Sequence, residues 1–407
     1  MKRILIGILV LLSAGFPAYS QITLSIDSAV ERMLLNHGEV QSALLRVQAA
    51  GALHKTAFEL NPTRVSFLYG QYNSYVNNDQ NWTIGQEVPL PMEMAAKSSY
   101  LKAQKKAEEA SGDLLRSRLR MELGNACARY IFLENQLKIY QGQDTLMEKM
   151  LFATKKRLEA GAIGILEYQL LRSKVEQIRL ERQQLELQFT NLETALKNLL
   201  QTDESLHITE STQKLIPGTI MGNAELKHLQ ESALVLESEI RLERSSLWPN
   251  LDLSYFNQTL IGGPTSSEPN APLAGSNYRF QGFGVGIQIP LFPGATLARA
   301  KQAQLLSEAA HFEIKQKKID LQNQWNLVSQ KWSLIQTQLT QYQEEVLPMA
   351  GQIRAQSTLA YERGELNYPE FLWQWQEALQ IELRFNQLKY EADLTRHQFI
   401  YLQGNPS

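Results

Sequence analysis

The chain contains one series of elements twice, and this duplication limits its possible folds more than any other feature. The sequence Val-Pro-Leu-Pro at residues 88–91 returns as Ile-Pro-Leu-Phe-Pro at residues 289–293, each time before an Ala-rich helical stretch. A turn centred on Gly161 returns around Gly364. The first proline of each element lies 72 residues before the glycine in one case and 74 in the other. Matches in the same order and at nearly the same spacing indicate an internal repeat.

Each half has the pattern of helix, strand, loop, strand, long helix, turn and helix. Apolar residues that alternate with polar or small ones predict four strands, at residues 63–72, 82–90, 251–258 and 278–291. Elsewhere, apolar residues spaced alternately by four and three predict helices packed side by side as in coiled coils. The helix expected from residue 91 to residue 160 would be roughly 100 Å long at 1.5 Å per residue. No compact globular domain contains such a helix, so an extended protein is expected.

These patterns divide the chain into three parts. A signal peptide is expected at residues 1–20. The first repeat is expected at residues 21–215, with strands within 63–90 and a helical hairpin over 91–201. The second repeat is expected at residues 216–407, with strands within 250–291 and a helical hairpin over 295–403.

Pro348 falls inside the second long helical stretch. Because proline lacks a backbone donor, it predicts a bend in the helix. The apolar seam extends to Met349. We therefore expect the helix to bend at the proline rather than to end there.

The N-terminal residues predict export from the cytoplasm. Lys2 and Arg3 precede an apolar run over residues 4–12, and small residues follow up to Ser20, as in a secretory signal peptide. The run is shorter than the roughly 20 residues that a transmembrane helix needs. Because no cysteine follows the cleavage site near Ser20, we expect no N-terminal lipid anchor.

Composition and motifs exclude several classes of function. The chain has 40 Lys and Arg against 42 Asp and Glu, so it lacks the basic patch of a nucleic-acid-binding protein. The six histidines and the single cysteine, Cys127, have no metal-ligand spacing, and the sequence has no phosphate-binding loop or nucleophile elbow. We therefore expect no enzyme, no cofactor, no bound metal and no nucleic-acid partner. Cys127 is expected to be a small packing residue.

Two pairs of strands in an exported chain favour a membrane barrel. Strands of about 9 to 11 residues can cross an outer membrane, but only a closed barrel satisfies their backbone groups, and known barrels have at least about eight strands. Four strands per chain therefore require several copies, and three copies would supply 12 strands. Aromatic residues near the strand ends suit membrane interfaces: Tyr69, Tyr72, Tyr75, Trp82, Tyr278 and Phe280. A small soluble sheet with an aromatic core explains the same pattern equally well.

With these features, the chain resembles the TolC-like outer membrane efflux protein family. The resemblance rests on the two Pro-Leu elements, the two glycine turns and the opening segment at residues 22–29, which is expected to be helical. It implies a homotrimer in the outer membrane, with a 12-stranded barrel continued by a periplasmic α-helical barrel. It further implies a passive conduit for substrates from an inner-membrane pump and a periplasmic adaptor, or membrane fusion protein.

The resemblance assigns positions to the turns and to the Pro-Leu elements. The turns at Gly161 and Gly364, with Arg157 on the first, are the expected periplasmic tips where an adaptor would dock. The expected junctions between barrel and helices are Pro89, Leu90, Pro290 and Leu291.

The resemblance also implies a gate near the second turn. Tyr361 and Glu370 match the aromatic and acidic positions of the family pattern. Three copies of Glu370 around a narrow axis would form an anionic ring that attracts cations. Trp373 replaces a second acidic position and Leu366 a basic one, so the gate is expected to be less charged, with Trp373 narrowing it by hydrophobic contact.

Two other functions stay open from the sequence. A conduit that secretes peptides or proteins would have the same fold. An exported coiled-coil scaffold or adhesin without a pore would explain the helical seams, but it gives no role to the strand pairs or to the repeated Pro-Leu elements.

Overall fold

The computed structural model describes residues 21–71, 76–209 and 220–404. Three expectations lie outside these residues: the signal peptide with its cleavage near Ser20, the aromatic residues Tyr72 and Tyr75, and the repeat boundary at residue 215. The described chain is mainly helical with a few strands, as predicted.

Helices and strands follow the predicted order. The N-terminal half contains β1 (Gln21–Ser25), α1 (Ile26–Asn36), α2 (Gly38–Leu53), β2 (Arg64–Tyr69), β3 (Gln80–Val88), α3 (Pro91–Glu159), α4 (Ile165–Leu200) and β4 (Ser205–Thr209). The C-terminal half contains α5 (Ala224–Ser245), β5 (Asn250–Gln258), β6 (Phe280–Gln288), α6 (Gly294–Gln341), α7 (Leu347–Glu362) and α8 (Tyr368–Gln403). Short 3₁₀ turns lie at His54–Phe58 and Ile220–Gly222, and a π-helical segment, Tyr342–Val346, separates α6 from α7.

The four predicted strands are present, each within a few residues of its expected bounds. They form one antiparallel sheet in the order β2-β3-β5-β6. Because side chains alternate along a strand, the register places the apolar residues on one face, among them Phe67, Ile84, Tyr255 and Phe283. The opposite face carries mostly small and polar residues, together with Leu68, Phe256 and Phe280.

The helix expected over residues 22–29 is wrong in its first half. Residues 22–25 belong to β1, which pairs in parallel with β4, so that Gln21 lies opposite Ser205. Helix α1 begins only at Ile26, because the Ser25 hydroxyl accepts a hydrogen bond from the Ser28 backbone N–H and caps it. The strand depends on a partner segment far along the chain, which a local pattern cannot show.

The buried helical residues follow the predicted seams. On α4 they include Leu171, Val175 and Ile178, and on α6 they are spaced by seven at Leu321, Val328 and Ile335. Such spacing is typical of coiled-coil packing. Helix α3 is continuous over 69 residues, which agrees with the expected length.

The expectation at Pro348 is correct only in part. The chain stays helical through the proline, but the π-helical segment interrupts it one turn earlier, where the Leu347 backbone N–H donates to the carbonyl of Tyr342. Met349, expected on the seam, is 57% exposed, and Ala350 is buried instead. The seam therefore shifts by one residue at the π-helical segment.

The chain divides into two compact units. Among the described residues, one unit comprises 21–38, 116–209 and 324–403 and contains the β1–β4 pair and a large apolar cluster. The other comprises 39–115, 220–323 and 404 and contains the four-stranded sheet. Among the helices of the described residues, none has both the length and the apolar composition needed to cross a membrane.

Candidate functional site

Both predicted glycine turns are present and have the same backbone geometry. The Gly161 N–H donates to the Leu158 carbonyl at 2.9 Å, and the Gly364 N–H donates to the Tyr361 carbonyl at 3.0 Å. In each turn the next residue donates to a carbonyl five positions back along the helix, which completes a Schellman motif. The φ angles of +69° and +75° are in the left-handed region, so glycine is favoured there by the backbone alone.

Tyr361 connects the second helical hairpin to the first. Its side chain is 2% exposed at the end of α7. Its hydroxyl oxygen lies 3.0 Å from Oγ1 of Thr154 on α3 and 3.1 Å from Oε1 of Glu167 on α4. We call these three residues the tip latch, since they join three helices near the turns.

The hydrogen bonds of the tip latch have a defined direction. Burial raises the pKa of Tyr361, and the nearby Glu167 carboxylate acts the same way, so the phenol stays protonated. A protonated phenol has one hydrogen, which it donates to the Glu167 carboxylate, and its oxygen can accept from the Thr154 hydroxyl. The guanidinium carbon of Arg157 lies 5.4 Å from the centre of the Tyr361 ring. Arg157 therefore contacts the latch within the same chain.

Aromatic side chains pack against Tyr361 of the tip latch. The Phe371 ring stacks on Tyr361 with centroids 4.7 Å apart and planes 19° apart. Tyr368 meets Tyr361 edge to face at 6.4 Å, and burial raises the pKa of its hydroxyl. Both rings belong to a continuous apolar cluster with residues from α3, α4, α7 and α8. This packing fixes the position of the Tyr361 hydroxyl.

A second set of polar contacts joins α3, α7 and α8 further from the turns. The indole N–H of the fully buried Trp375 donates to Oε1 of Gln143 at 2.7 Å. The Gln143 amide donates to Glu382 at 3.4 Å, and Glu382 accepts a hydrogen bond from Arg354 on α7. We call Trp375, Gln143, Glu382 and Arg354 the polar layer. Such a layer within an apolar seam favours one register of the helices.

The three predicted gate residues are in different environments. Glu370 is exposed in the first turn of α8, where its backbone N–H donates to Oδ1 of Asn367. Trp373 is 63% exposed and lies three residues further, so both side chains are on one face of the helix. Tyr361 instead lies in the buried latch, so the gate candidates do not form one cluster within a chain.

The predicted junction residues lie between a strand and a helix. Pro89 and Leu90 connect β3 to α3, and Pro290 and Leu291 lie between β6 and α6. Pro91 occupies the first position of α3, where its missing N–H costs no helical hydrogen bond. The Pro-Leu elements thus end each strand and allow a helix to start.

The sequence did not lead us to predict the partners of Tyr361 or the polar layer. The internal repeat could have indicated the partners of Tyr361, because Thr154 and Glu167 occupy the positions that Ser357 and Glu370 have in the other turn. The equivalent carboxylates differ in the structure: Glu167 is half-buried in the latch and Glu370 is exposed. Gln143 gave no signal, because an isolated glutamine on a long helix looks like a surface residue.

Cys127, the single cysteine, is buried on α3. Burial raises the pKa of the Cys127 thiol to about 12, so it carries almost no thiolate at neutral pH and is a poor nucleophile. Among residues 21–71, 76–209 and 220–404, no three His, Cys, Asp or Glu side chains are grouped as a metal site would need. The described residues form helices held together by buried side-chain contacts and a sheet with one exposed apolar face.

Comparison with known proteins identifies the fold. The chain is similar to the outer membrane protein VceC from Vibrio cholerae, with 16% identity, a TM-score of 0.76, and 94% of this chain and 97% of that chain covered. The TolC-like fold is confirmed. The Campylobacter jejuni CmeC outer membrane channel matches with 17% identity, a TM-score of 0.73, and 93% and 85% coverage. The Neisseria gonorrhoeae MtrE outer membrane channel, in its open state, matches with 13% identity, a TM-score of 0.71, and 93% and 89% coverage. No family model and no curated protein sequence matches the chain.

Proposed function

We propose that this protein is the outer-membrane channel of a tripartite efflux pump. Three copies would each contribute four strands to a 12-stranded barrel, continued by a periplasmic helical barrel. The channel would be a passive conduit for substrates from an inner-membrane pump and a periplasmic adaptor. The single observation that carries this proposal is the four-stranded sheet, which among the described strands has two open edges and which has one exposed apolar face.

The sheet edges favour closure by further copies. Among the described strands, β2 and β6 each pair on one side only. An open edge leaves backbone groups that no water can satisfy inside a bilayer. Four strands cannot curl into a barrel by themselves, whereas β6 of one copy next to β2 of another leaves no edge open.

The two faces of the sheet suit lipid on one side and water on the other. Phe283, Val285 and Ile287 are highly exposed on β6, although they are apolar. The alternate residues are glycines, and Gly282 and Gly284 face Phe256 and Ser254 of β5. A Cβ added at either glycine would come within 2.8 Å of those side chains, so only glycine fits without a shift. An apolar outer face and an inner face with many small or polar residues are typical of strands in a membrane barrel.

Exposed apolar residues along the long helices favour contacts between copies. On α6 they recur about once per heptad at Phe312, Ile319, Leu327 and Leu334. This row is separate from the buried seam that begins at Leu321. A second seam on one helix needs a second partner, and a neighbouring copy in a helical barrel would supply it.

We further propose that the two turns form the periplasmic tips where an adaptor docks, with Gly161 and Gly364 exposed there and the half-buried Arg157 beside them. The tip latch would hold the closed state within each chain. Glu370 and Trp373, exposed on α8, would narrow the axis where three copies meet, with Glu370 attracting cations. Single-channel recording tests this role: Glu370→Ala should lower the preference for cations, and an unchanged preference and conductance would exclude Glu370 from the gate.

The channel itself is tested by extraction and electrical recording of the full chain. We expect a trimer that resists heat in detergent and conducts ions in a planar bilayer. Extraction without detergent, or a monomer in lipid, would overturn the proposal and favour a soluble exported scaffold.

A matched pair of variants tests which face meets lipid. Val285 lies on the apolar face near the middle of β6, and Ser66 lies on the opposite face near the middle of β2. An arginine in contact with the bilayer midplane costs about 2–4 kcal/mol. Val285→Arg should therefore reduce insertion and trimer yield, whereas Ser66→Arg should not. Equal yields for both variants would show that the apolar face does not contact lipid.

A further inference from the structure

Aromatic residues interrupt the inner face of the sheet, which is the face opposite the exposed apolar one. They lie near the loop end of the sheet, where the β2–β3 and β5–β6 loops are. Phe256 of β5 lies opposite Gly282 of β6, and Phe280 of β6 lies opposite Gln258. Both rings are on the inner face, because side chains alternate along each strand. The Tyr278 ring meets the Phe280 ring edge to face, with centroids 5.0 Å apart. We call Phe256, Tyr278 and Phe280 the aromatic patch.

A glycine on β6 allows the three rings to come together. A Cβ added at Gly282 would lie 2.7 Å from Cζ of Phe256, so the ring occupies the space beside this glycine. Phe280 is two residues before Gly282 on the same face, and aromatic side chains can span the diagonal distance to Phe256. The Tyr278 hydroxyl donates to the Thr265 carbonyl at 3.3 Å, which ties the third ring to the β5–β6 loop. The patch is therefore a single aromatic surface.

The aromatic patch is not buried within the chain. Phe256 and Phe280 are half-buried, and Tyr278 is 43% exposed. Leu68 lies in the same cross-strand row as Phe280 and is 48% exposed. Exposed groups of apolar side chains commonly mark binding surfaces. In the proposed barrel the inner face lines the pore, so a solute in the pore would meet this patch.

The charged residues of the inner face lie at the other end of the sheet, where α3 and α6 begin. Glu87 lies directly opposite Asp252, and its carboxylate accepts a hydrogen bond from the Asn250 amide at 2.8 Å. Arg64 lies on the same face, opposite Gly85. Within the four strands each chain thus places two carboxylates and one guanidinium on this face. Three copies would carry six negative charges against three positive ones, and a net negative pore wall favours cations.

We propose that the aromatic patch is a binding site inside the pore for aromatic organic cations. This inference rests on the proposed function and names a class of solute that the channel contacts. The faces of the rings attract a cation through their quadrupole, and they pack against aromatic groups of the solute. The carboxylates at the helix end of the sheet raise the local concentration of cations. An anion of the same shape would gain the apolar contact but would be repelled by these carboxylates.

Block of the ionic current in a planar bilayer tests the site with three probe ions. Tetraphenylphosphonium has aromatic rings and a positive charge, tetraethylammonium has the charge without rings, and tetraphenylborate has the rings with a negative charge. Tetraphenylphosphonium should block the current at a concentration about tenfold lower than either of the other ions. If tetraethylammonium blocked equally well, the rings would have no role. If tetraphenylborate blocked equally well, the site would not select cations. Either result would overturn the proposal.

A matched pair of variants locates the block. Phe280→Leu removes a ring from the inner face, and Phe283→Leu makes the same change on the outer face. Phe280→Leu should raise the half-blocking concentration of tetraphenylphosphonium about fivefold and leave that of tetraethylammonium unchanged, because only a ring contact is lost. Phe283→Leu should change neither value. Equal effects of the two variants would overturn the proposal. Block that appears only after deletion of residues 266–270 would show that the β5–β6 loop covers the patch, which would also overturn it.

Equilibrium binding separates the aromatic site from the channel. Tetraphenylphosphonium is titrated calorimetrically into the full-length protein in detergent, with detergent alone as the reference. Phe280→Leu should raise the dissociation constant about fivefold, and Phe283→Leu should leave it unchanged. That result in a protein that never conducts would contradict the proposed channel and leave the aromatic site in place. A conducting trimer in which Phe280→Leu changes neither block nor binding would contradict only the aromatic site.

Discussion

His397 makes the stability of the helical unit sensitive to mild acid. The side chain is 7% exposed on α8, and its Nδ1 lies 3.2 Å from Oδ1 of Asn125. Its ring fills the space beside Gly124, where an added Cβ would come within 3.1 Å of it. Burial lowers the pKa of His397 to about 4; the nearby Arg396 also acts to lower it, and Asp27 opposes the shift.

The direction of the effect follows from proton linkage. The unfolded chain binds a proton at His397 below the ordinary pKa of 6.5, while the folded chain does so only near pH 4. Between these values the unfolded state binds more protons, so the free energy of unfolding falls as the pH falls. With about 1.36 kcal/mol for each pK unit, the loss is about 2 kcal/mol per chain at pH 5 and approaches about 3 kcal/mol near pH 4.

Thermal unfolding at pH 7 and pH 5 measures this loss. For units of this size, about 2 kcal/mol corresponds to about 4–8 °C in the unfolding midpoint. His397→Gln cannot take up the proton. Lowering the pH from 7 to 5 should therefore reduce its unfolding midpoint by about 4–8 °C less than it reduces that of the unaltered protein. His311→Gln is the control, because His311 is exposed beside Glu237 and its removal should not reduce the acid effect. The same acid shift in His397→Gln as in the unaltered protein would refute the reasoning.

Three further changes test individual contacts. Trp375→Phe leaves the buried Oε1 of Gln143 without its donor and should lower the free energy of unfolding by about 1–3 kcal/mol, measured by denaturant titration. Gly364→Ala forces a side chain into the left-handed region and should cost about 1 kcal/mol, seen as a lower unfolding midpoint; no change would mean that the turn adopts another geometry. Asp79→Ala removes the acceptor for the Thr259 hydroxyl, 2.7 Å from Oδ1, and should make the loop over residues 259–279 more sensitive to limited proteolysis. Unchanged cleavage would show that Asp79 does not anchor this loop.

Local patterns were sufficient for the main architecture. Strand alternation and helical seams depend on which residues avoid water, and this preference acts over a few neighbouring positions. The strands at β5 and β6 and the 69-residue helix α3 therefore appear close to their expected bounds. The glycine turns were predictable for the same reason, since a left-handed backbone angle is a property of one residue.

Local patterns did not determine contacts between distant segments. The strand at residues 21–25 exists because residues 205–209 pair with it, and no neighbouring residue indicates that partner. Tyr361 and Glu370 came from the same family pattern, yet one is buried against Thr154 and the other is exposed. Which of them faces inward depends on how α7 and α8 pack against α3 and α4.

The sequence by itself determined the repeat, the strands, the helices and the turns, because each depends on local propensity and on periodic burial. Only the tertiary structure decided the one-residue shift of the seam at Tyr342–Val346 and the burial of Ala350 in place of Met349. A heptad pattern read from the sequence assumes regular α-helical turns. It therefore cannot show the extra residue that the π-helical segment places in the helix. The choice between α and π turns depends on which residues the neighbouring helices bury, and that is settled when the helices pack.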